Sequence, residues 1–243
     1  MTFTPLASSS EGCAYVAHCL GQPDLLIDAG IPFKKLQTAL DFKVSGLAGC
    51  LVSHSHKDHC AAVPHLQAHS VDVWASVETW SSIPSGNVYR SHVALPHQPF
   101  KVGPWQCLAF EAVHDAPGTL GFLVAAPDGD RLLYLTDSAY SKFRFGSLTH
   151  IAIECNFSEA IIEKNAAFEG LSSERYKRTV ATHMSLEKVL DFLGANDLDR
   201  CKEIHLLHLS DQNSDEEGFK RAVEQATGIP TFVAAKRHSA VSA

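Results

Sequence analysis

His54-Ser55-His56-Lys57-Asp58-His59 places three imidazoles and a carboxylate within six positions, directly after the apolar run Gly49-Cys50-Leu51-Val52-Ser53. Neutral imidazole and carboxylate are the donors that Zn²⁺ and similar divalent cations take, and no packed core calls for such a cluster. In an extended segment, residues two apart point the same way, so His54 and His56 can converge on one cation. Asp58 and His59, after a turn, face a second.

The 243 residues, 45% of them hydrophobic, suffice to bury a substantial core, and one domain over 1–243 is expected. No uninterrupted apolar run approaches the ~18 residues that span a bilayer. The N-terminus, Met1 to Ser8, lacks the basic start and apolar stretch of a signal peptide, so a cytoplasmic protein without membrane association is expected. Seven cysteines are odd in number, scattered and set mostly in apolar segments. That usage suits reduced, buried thiols better than a disulfide framework. Cys60, beside His59, reads as a small core residue first and a metal ligand only third. The formal charge of −7 argues against a generally basic surface, yet it counts carboxylates that bound cations would neutralise. A bound cation is often the largest charge in its site, so a phosphodiester substrate is not excluded.

Short apolar runs bounded by turn signals predict strands at Ala14 to His18, Leu25 to Ile27, Gly49 to Val52, Val71 to Ala75, Gln106 to Val113, Leu120 to Ala125, Arg131 to Thr136, His150 to Glu154, Ile204 to Leu209 and Thr231 to Ala234. Asp128-Gly129-Asp130 is a hairpin signal. Ser185 to Ala195 and Asp215 to Thr227 read as capped amphipathic helices; Lys34 to Leu40 and Asp58 to Ala68 are further helix candidates. Many strands with helices between and after them suggest a sheet sandwich covered by helices. The tail Ser239 to Ala243 is expected to fray. The chain shows no interleaving of aromatic and basic residues of the kind that builds a single-strand stacking groove.

If the cluster holds two cations, the remaining ligands must come from other strand ends, where loops converge. His114, Asp137 and His208 each terminate an apolar strand. With the His-x-His-x-Asp-His signature, followed by His, Asp and His in that order, the chain resembles the metallo-β-lactamase superfamily over nearly its whole length. The resemblance implies a four-layer αββα sandwich of class α/β, without a large inserted domain, because the stretch from Asp137 to His208 is too short for one. It implies that one metal takes His54, His56 and His114, that the other takes Asp58, His59 and His208, and that Asp137 bridges them. Asp28, in Leu25-Leu26-Ile27-Asp28-Ala29-Gly30, looks like the aspartate that supports a histidine ligand. Further stretches, among them Leu6 to Gly12, Glu154-Cys155-Asn156, His183-Met184-Ser185 and His208 to Asn213, look like the WalJ/YycJ-like branch, whose better-studied members are DNA exonucleases. Cys13 stands where that branch commonly has Asn.

His183 and Ser185 precede a helix start, which favours an anion, and Arg175, Lys177 and Arg178 add charge upstream. These two residues are expected to hold a substrate phosphate, with His183 and Asp58 as the catalytic candidates and His183 as proton donor to the leaving oxygen. Two cations ~3.5–4 Å apart that share a hydroxide would drive in-line attack without a side-chain nucleophile. Ser8 to Ser10 read as a polar turn before the first strand. Zn²⁺, Mn²⁺ or Fe²⁺ all suit this donor set. The expected function is a 5′-to-3′ DNA exonuclease, with DNA favoured over RNA. The rivals are a small cyclic phosphodiesterase or a glyoxalase II-like thioesterase with the same ligands, and a non-catalytic metal-binding module.

Overall fold

The computed structural model describes residues 1–84, 86–168 and 172–235. Ser239 to Ala243 lie outside them. Over the 1–243 expected to form one domain, the chain divides into two compact units. The first comprises Met1–Glu111 and Ala116–Arg131, the second Ala112–Asp115 and Leu132–Ala234.

In the first unit, β1 (Thr2–Ser9), β2 (Gly12–His18), β3 (Leu25–Ala29), β4 (Gly49–Leu51), β5 (Val73–Ala75) and β6 (Ser91–Val93) form a six-stranded sheet in chain order. The pairs β1/β2 and β2/β3 are antiparallel, and β3 to β6 run parallel. Parallel neighbours need crossovers, and these carry α1 (Phe33–Ala39), α2 (Lys57–Cys60), α3 (Val63–Ala68) and α4 (Val77–Ser82). Strands β7 (Pro99–Val102), β8 (Trp105–Glu111) and β9 (Leu120–Ala125) make an antiparallel meander. Trp105 is wholly buried and its indole N–H donates to the Pro23 carbonyl at 2.9 Å. Asp128-Gly129-Asp130 makes the expected tight turn, with Gly129 at φ 88° and Ala126 N–H donating to the Asp130 carbonyl.

In the second unit, β10 (Arg131–Leu135), β11 (His150–Glu154), β12 (Glu203–Leu207) and β13 (Thr231–Val233) pair in parallel in that order. Residues 132–135 and 151–153 are fully buried, as strands covered on both faces should be. Helices α5 (Glu159–Phe168), α6 (Ser173–Thr182), α7 (Leu186–Gly194) and α8 (Glu216–Thr227) connect them. The Asp215 side chain caps α8 by accepting from Gly218 N–H, and Gly228 ends it in the left-handed conformation at φ 71°, where glycine escapes the Cβ penalty.

All ten predicted strands are present, with ends shifted by up to two residues. Two differences have local causes. Ser8 and Ser9 belong to a strand, β1, rather than to a turn; Pro5 hides it from pattern reading, and the β1/β2 register shifts between Pro5 and Ala7. The helix expected over Asp58 to Ala68 is two helices. Pro64 lies in the first turn of α3, where its missing N–H costs nothing, while Ala62 N–H leaves the helix to donate to the Ala29 carbonyl at 2.8 Å. Strands β6 and β7 and helices α4, α5 and α6 went unpredicted. Among the described residues, no helix is long and apolar enough to cross a membrane.

Candidate metal centre

In the first unit the signature starts three residues past the end of a parallel strand, β4. After β4 the chain continues through Val52 and Ser53 to His54, and the Ser53 carbonyl accepts from Leu120 N–H at 2.9 Å. His56 keeps extended angles (φ −64°, ψ 144°) and serves as N-cap of α2, so Asp58 and His59 sit on its first turn. The His54 ring lies 4.7 Å from that of His56, edge to face, and 4.2 Å from that of His59. Asp58 Oδ2 is 3.6 Å from His59 Nε2. Four of the expected ligands therefore converge in this unit.

Asp28 organises them. It is fully buried and adopts φ 56° at the end of β3, a conformation that costs roughly 1–3 kcal/mol and clusters at functional sites. One carboxylate oxygen accepts from Ser53 N–H at 2.8 Å; the other accepts from Ser53 Oγ at 2.9 Å and from His59 Nδ1 at 2.7 Å. A carboxylate can only accept, so His59 carries its proton on Nδ1 and presents the Nε2 lone pair, the donor a cation takes. Asp28→Asn is expected to lower affinity for a divalent metal about 10- to 100-fold. Competition against a chromogenic chelator would measure it, and wild-type affinity would reject the role.

The second unit supplies the other candidates. His114 Nδ1 donates to the Thr182 carbonyl at 3.0 Å, which turns Nε2 toward the carboxylates of Asp115 (3.0 Å) and Asp137 (3.7 Å). Asp137 at φ 45° and His208 at φ 53° follow β10 and β12 with left-handed backbone angles, as Asp28 has within the last residues of β3. His208 Nδ1 lies 3.2 Å from Asp137 Oδ1 and 3.3 Å from Glu154 Oε1. The Asn156 amide donates to the His208 carbonyl at 2.8 Å. Donor atoms of Asp137, Glu154, His183 and His208 all lie within 4.8 Å of one another.

His183 caps the C-terminus of α6, and its ring lies 5.3 Å from that of His114 and 5.6 Å from that of His208. Its Nδ1 donates to Glu154 Oε1 at 2.6 Å. Glu154 Oε2 accepts from Ser138 N–H (2.9 Å) and Met184 N–H (3.2 Å). Burial alone would raise the Glu154 carboxyl, but the His183 charge and hydrogen bond prevail and hold it below its usual range. Burial likewise opposes charge on His183, and Glu154 outweighs it, keeping the imidazole above its ordinary value. Glu154 carries no role in the expectations above, although it ends an apolar strand as Asp137 and His208 do. Asp115 went unassigned too; it accepts from Arg178 Nε at 3.0 Å and from a second guanidinium nitrogen at 2.9 Å.

One expectation changes here, and the preferred reading of Cys60 as a core residue stands. Ser185 does not reach for a phosphate: it is fully buried, and its hydroxyl accepts from Lys188 N–H to cap α7 and donates to Glu159 at 3.3 Å. Cys60 is a core thiol whose Sγ donates to the Ser55 carbonyl, and burial pushes its pKa up to about 11. The seven cysteines are all free thiols.

The model of the beta-lactamase superfamily domain matches residues 24–205. Exodeoxyribonuclease YycJ of Bacillus anthracis is 26% identical over 243 aligned residues, which cover 92% of this chain and 88% of that protein. Among solved structures, Zn²⁺-bound PqqB from Methylobacterium extorquens superposes with a TM-score of 0.72 at 13% identity, over all of both chains. The metallo-β-lactamase fold protein YhfI from Bacillus subtilis gives 0.71 at 16% identity, over 97% of this chain and 96% of its own. These likenesses show the α/β metallo-β-lactamase fold that the signature implied. The chain belongs to the metallo-β-lactamase superfamily as a YycJ-like member, and by that membership is a metal-dependent hydrolase.

Proposed function

We propose that this protein is a dinuclear metal-dependent phosphodiesterase that cleaves nucleic acid, and that it is a 5′-to-3′ exonuclease on DNA. The observation that carries the reading is His183, held by Glu154 between His114 and His208. Hydrolysis of a phosphodiester expels a poor leaving group, so a poised proton donor beside the ligands suits this reaction. The name of the Bacillus anthracis relative supports DNA as the substrate.

In this reading His54, His56 and His114 would hold one cation and Asp58, His59 and His208 the other, with Asp137 as the seventh ligand. The fit rests on donor chemistry: Asp28 and the Thr182 carbonyl each take the Nδ1 proton of a histidine and leave Nε2 as the donor. Bound divalent cations supply Lewis acidity and a nucleophile usable at neutral pH. The chain's own groups do the rest. Glu154 fixes the His183 ring and favours its protonated form, and His183 passes the Nε2 proton to the departing oxygen.

His183→Ala is expected to lower kcat on an oligonucleotide by about 10²–10⁴-fold with metal content unchanged. A substrate with a good leaving group, such as a p-nitrophenyl phosphodiester, should lose far less. A change in KM alone would reject the proton-donor role. The activity itself is tested by giving the metal-loaded protein end-labelled single- and double-stranded DNA and RNA, with and without a 5′ phosphate. Stepwise shortening of DNA from its 5′ end, abolished by EDTA and restored by Mn²⁺ or Zn²⁺, is expected. Turnover of thioesters or small cyclic phosphodiesters with intact oligonucleotides would overturn it.

A further inference from the structure

Tyr140-Ser141-Lys142-Phe143-Arg144-Phe145 follows the Asp137 turn directly. It corrects the expectation that aromatic and basic residues nowhere interleave; at six residues the stretch reads as an ordinary loop. Exposure alternates along it: Tyr140, Lys142 and Arg144 are exposed, whereas Ser141, Phe143 and Phe145 are half-buried. That period of two sends one row outward and one inward, with about 6.6 Å between successive outward residues if the segment is extended.

The segment is pinned at both ends. At its start, Ala139 N–H donates to the Val113 carbonyl, next to His114, at 2.8 Å. Ser138 N–H donates to Glu154, the partner of His183, and Ser138 Oγ donates to the Tyr140 carbonyl at 2.8 Å. At its end, Phe145 N–H donates to Asn196 Oδ1 at 2.7 Å, and the Phe145 ring lies 6.3 Å from that of Phe192 on α7. Asn196 in turn donates to the Phe192 carbonyl. The inward phenylalanines thus hold a strap whose outward row starts three residues from Asp137.

That row carries two cations and an aromatic ring. No acidic residue occurs between Ser138 and Ile153. Neither Lys142 nor Arg144 forms an ion pair among the described residues; Lys142 Nζ sits 5.0 Å from the Phe143 ring centroid. Tyr140 is 51% exposed, with no core to explain it. In a chain of net charge −7, an uncompensated basic row beside the proposed proton donor is complementary to a polyanion. Resting on the phosphodiesterase reading, we infer that the strap binds single-stranded DNA, with a base stacked on Tyr140 and phosphates on Lys142 and Arg144. Stacking is sequence-tolerant because every base has a π face, as an exonuclease needs.

The test measures KM for a 5′-phosphorylated single-stranded oligonucleotide, with the metal-loaded protein, at several salt concentrations. Lys142→Ala with Arg144→Ala should raise KM about tenfold and flatten the log KM against log salt slope by about 1.4, at about 0.7 per lost phosphate contact. Tyr140→Ala should raise KM by about tenfold with the slope retained, and Tyr140→Phe should restore it. Lys34→Ala with Lys35→Ala, a matched loss of two exposed charges on α1, is the control. An equal effect from that control, or wild-type KM and slope in the strap variants, would overturn the strap and leave the phosphodiesterase reading intact. Wild-type protein that leaves the oligonucleotide whole would instead sink the reading and the strap with it.

Discussion

Gly30→Ala is expected to cost at least about 3 kcal/mol of stability and to abolish metal binding with it. A Cβ built on Gly30 would lie 1.6 Å from the carbonyl oxygen of Asp58, 2.0 Å from its carbonyl carbon and 2.6 Å from His59 N. Those are backbone atoms of α2, so no rotamer change relieves the clash. Overpacking a core costs typically 1–3 kcal/mol when side chains can yield; here the ligand-bearing turn itself must move away from β3. The displacement would also pull His59 from Asp28, a bond of 2.7 Å between fully buried groups. For a protein of this size, a Tm lower by about 10 °C is expected, read by thermal denaturation. A wild-type Tm would mean that α2 does not rest on Gly30.

Asp58→Ala is expected to behave in the opposite way, keeping the fold and losing the chemistry. Its side chain is 24% exposed and lies at the end of a short helix rather than in the core, so little packing is lost. A metal ligand contributes several kcal/mol to stabilising charge in the transition state. About 4 kcal/mol corresponds to a loss of about 10³-fold in kcat/KM. Initial rates on a labelled oligonucleotide, with Tm recorded alongside, separate this variant from Gly30→Ala. Activity within tenfold of wild type would remove Asp58 from the ligand set.

The candidate ligands are legible because four are polar residues that end an apolar run, and His56, Asp58 and His59 cluster directly after the first of these. His54, His114, Asp137 and His208 stand one to three residues beyond β4, β8, β10 and β12, on the loops that follow those strands. Glu154 stands on the same pattern but carries no local signal of its role, since a lone glutamate at the end of a hydrophobic strand does not reveal which histidine it meets 29 residues on. Ser185 is ambiguous in the sequence for the converse reason. A serine before an amphipathic helix is a cap as readily as an anion ligand, and only its burial and its bond to Glu159 distinguish the two. The strap at 140–145 was hidden by its brevity. Its meaning lies in the phenylalanine anchors on α7 and in the neighbouring Glu154, which no local pattern reports.

Residue chemistry and local periodicity were enough to read the donor types, the strand ends that carry them and two capped helices. Those properties depend on neighbours within a few positions along the chain. Which histidine nitrogen keeps its proton, why glycine stands at position 30 and what orients His183 were settled by folding alone. Each depends on atoms brought together from residues 25 to 68 positions apart, and such pairings follow from packing and hydrogen-bond satisfaction rather than from any repeat in the chain.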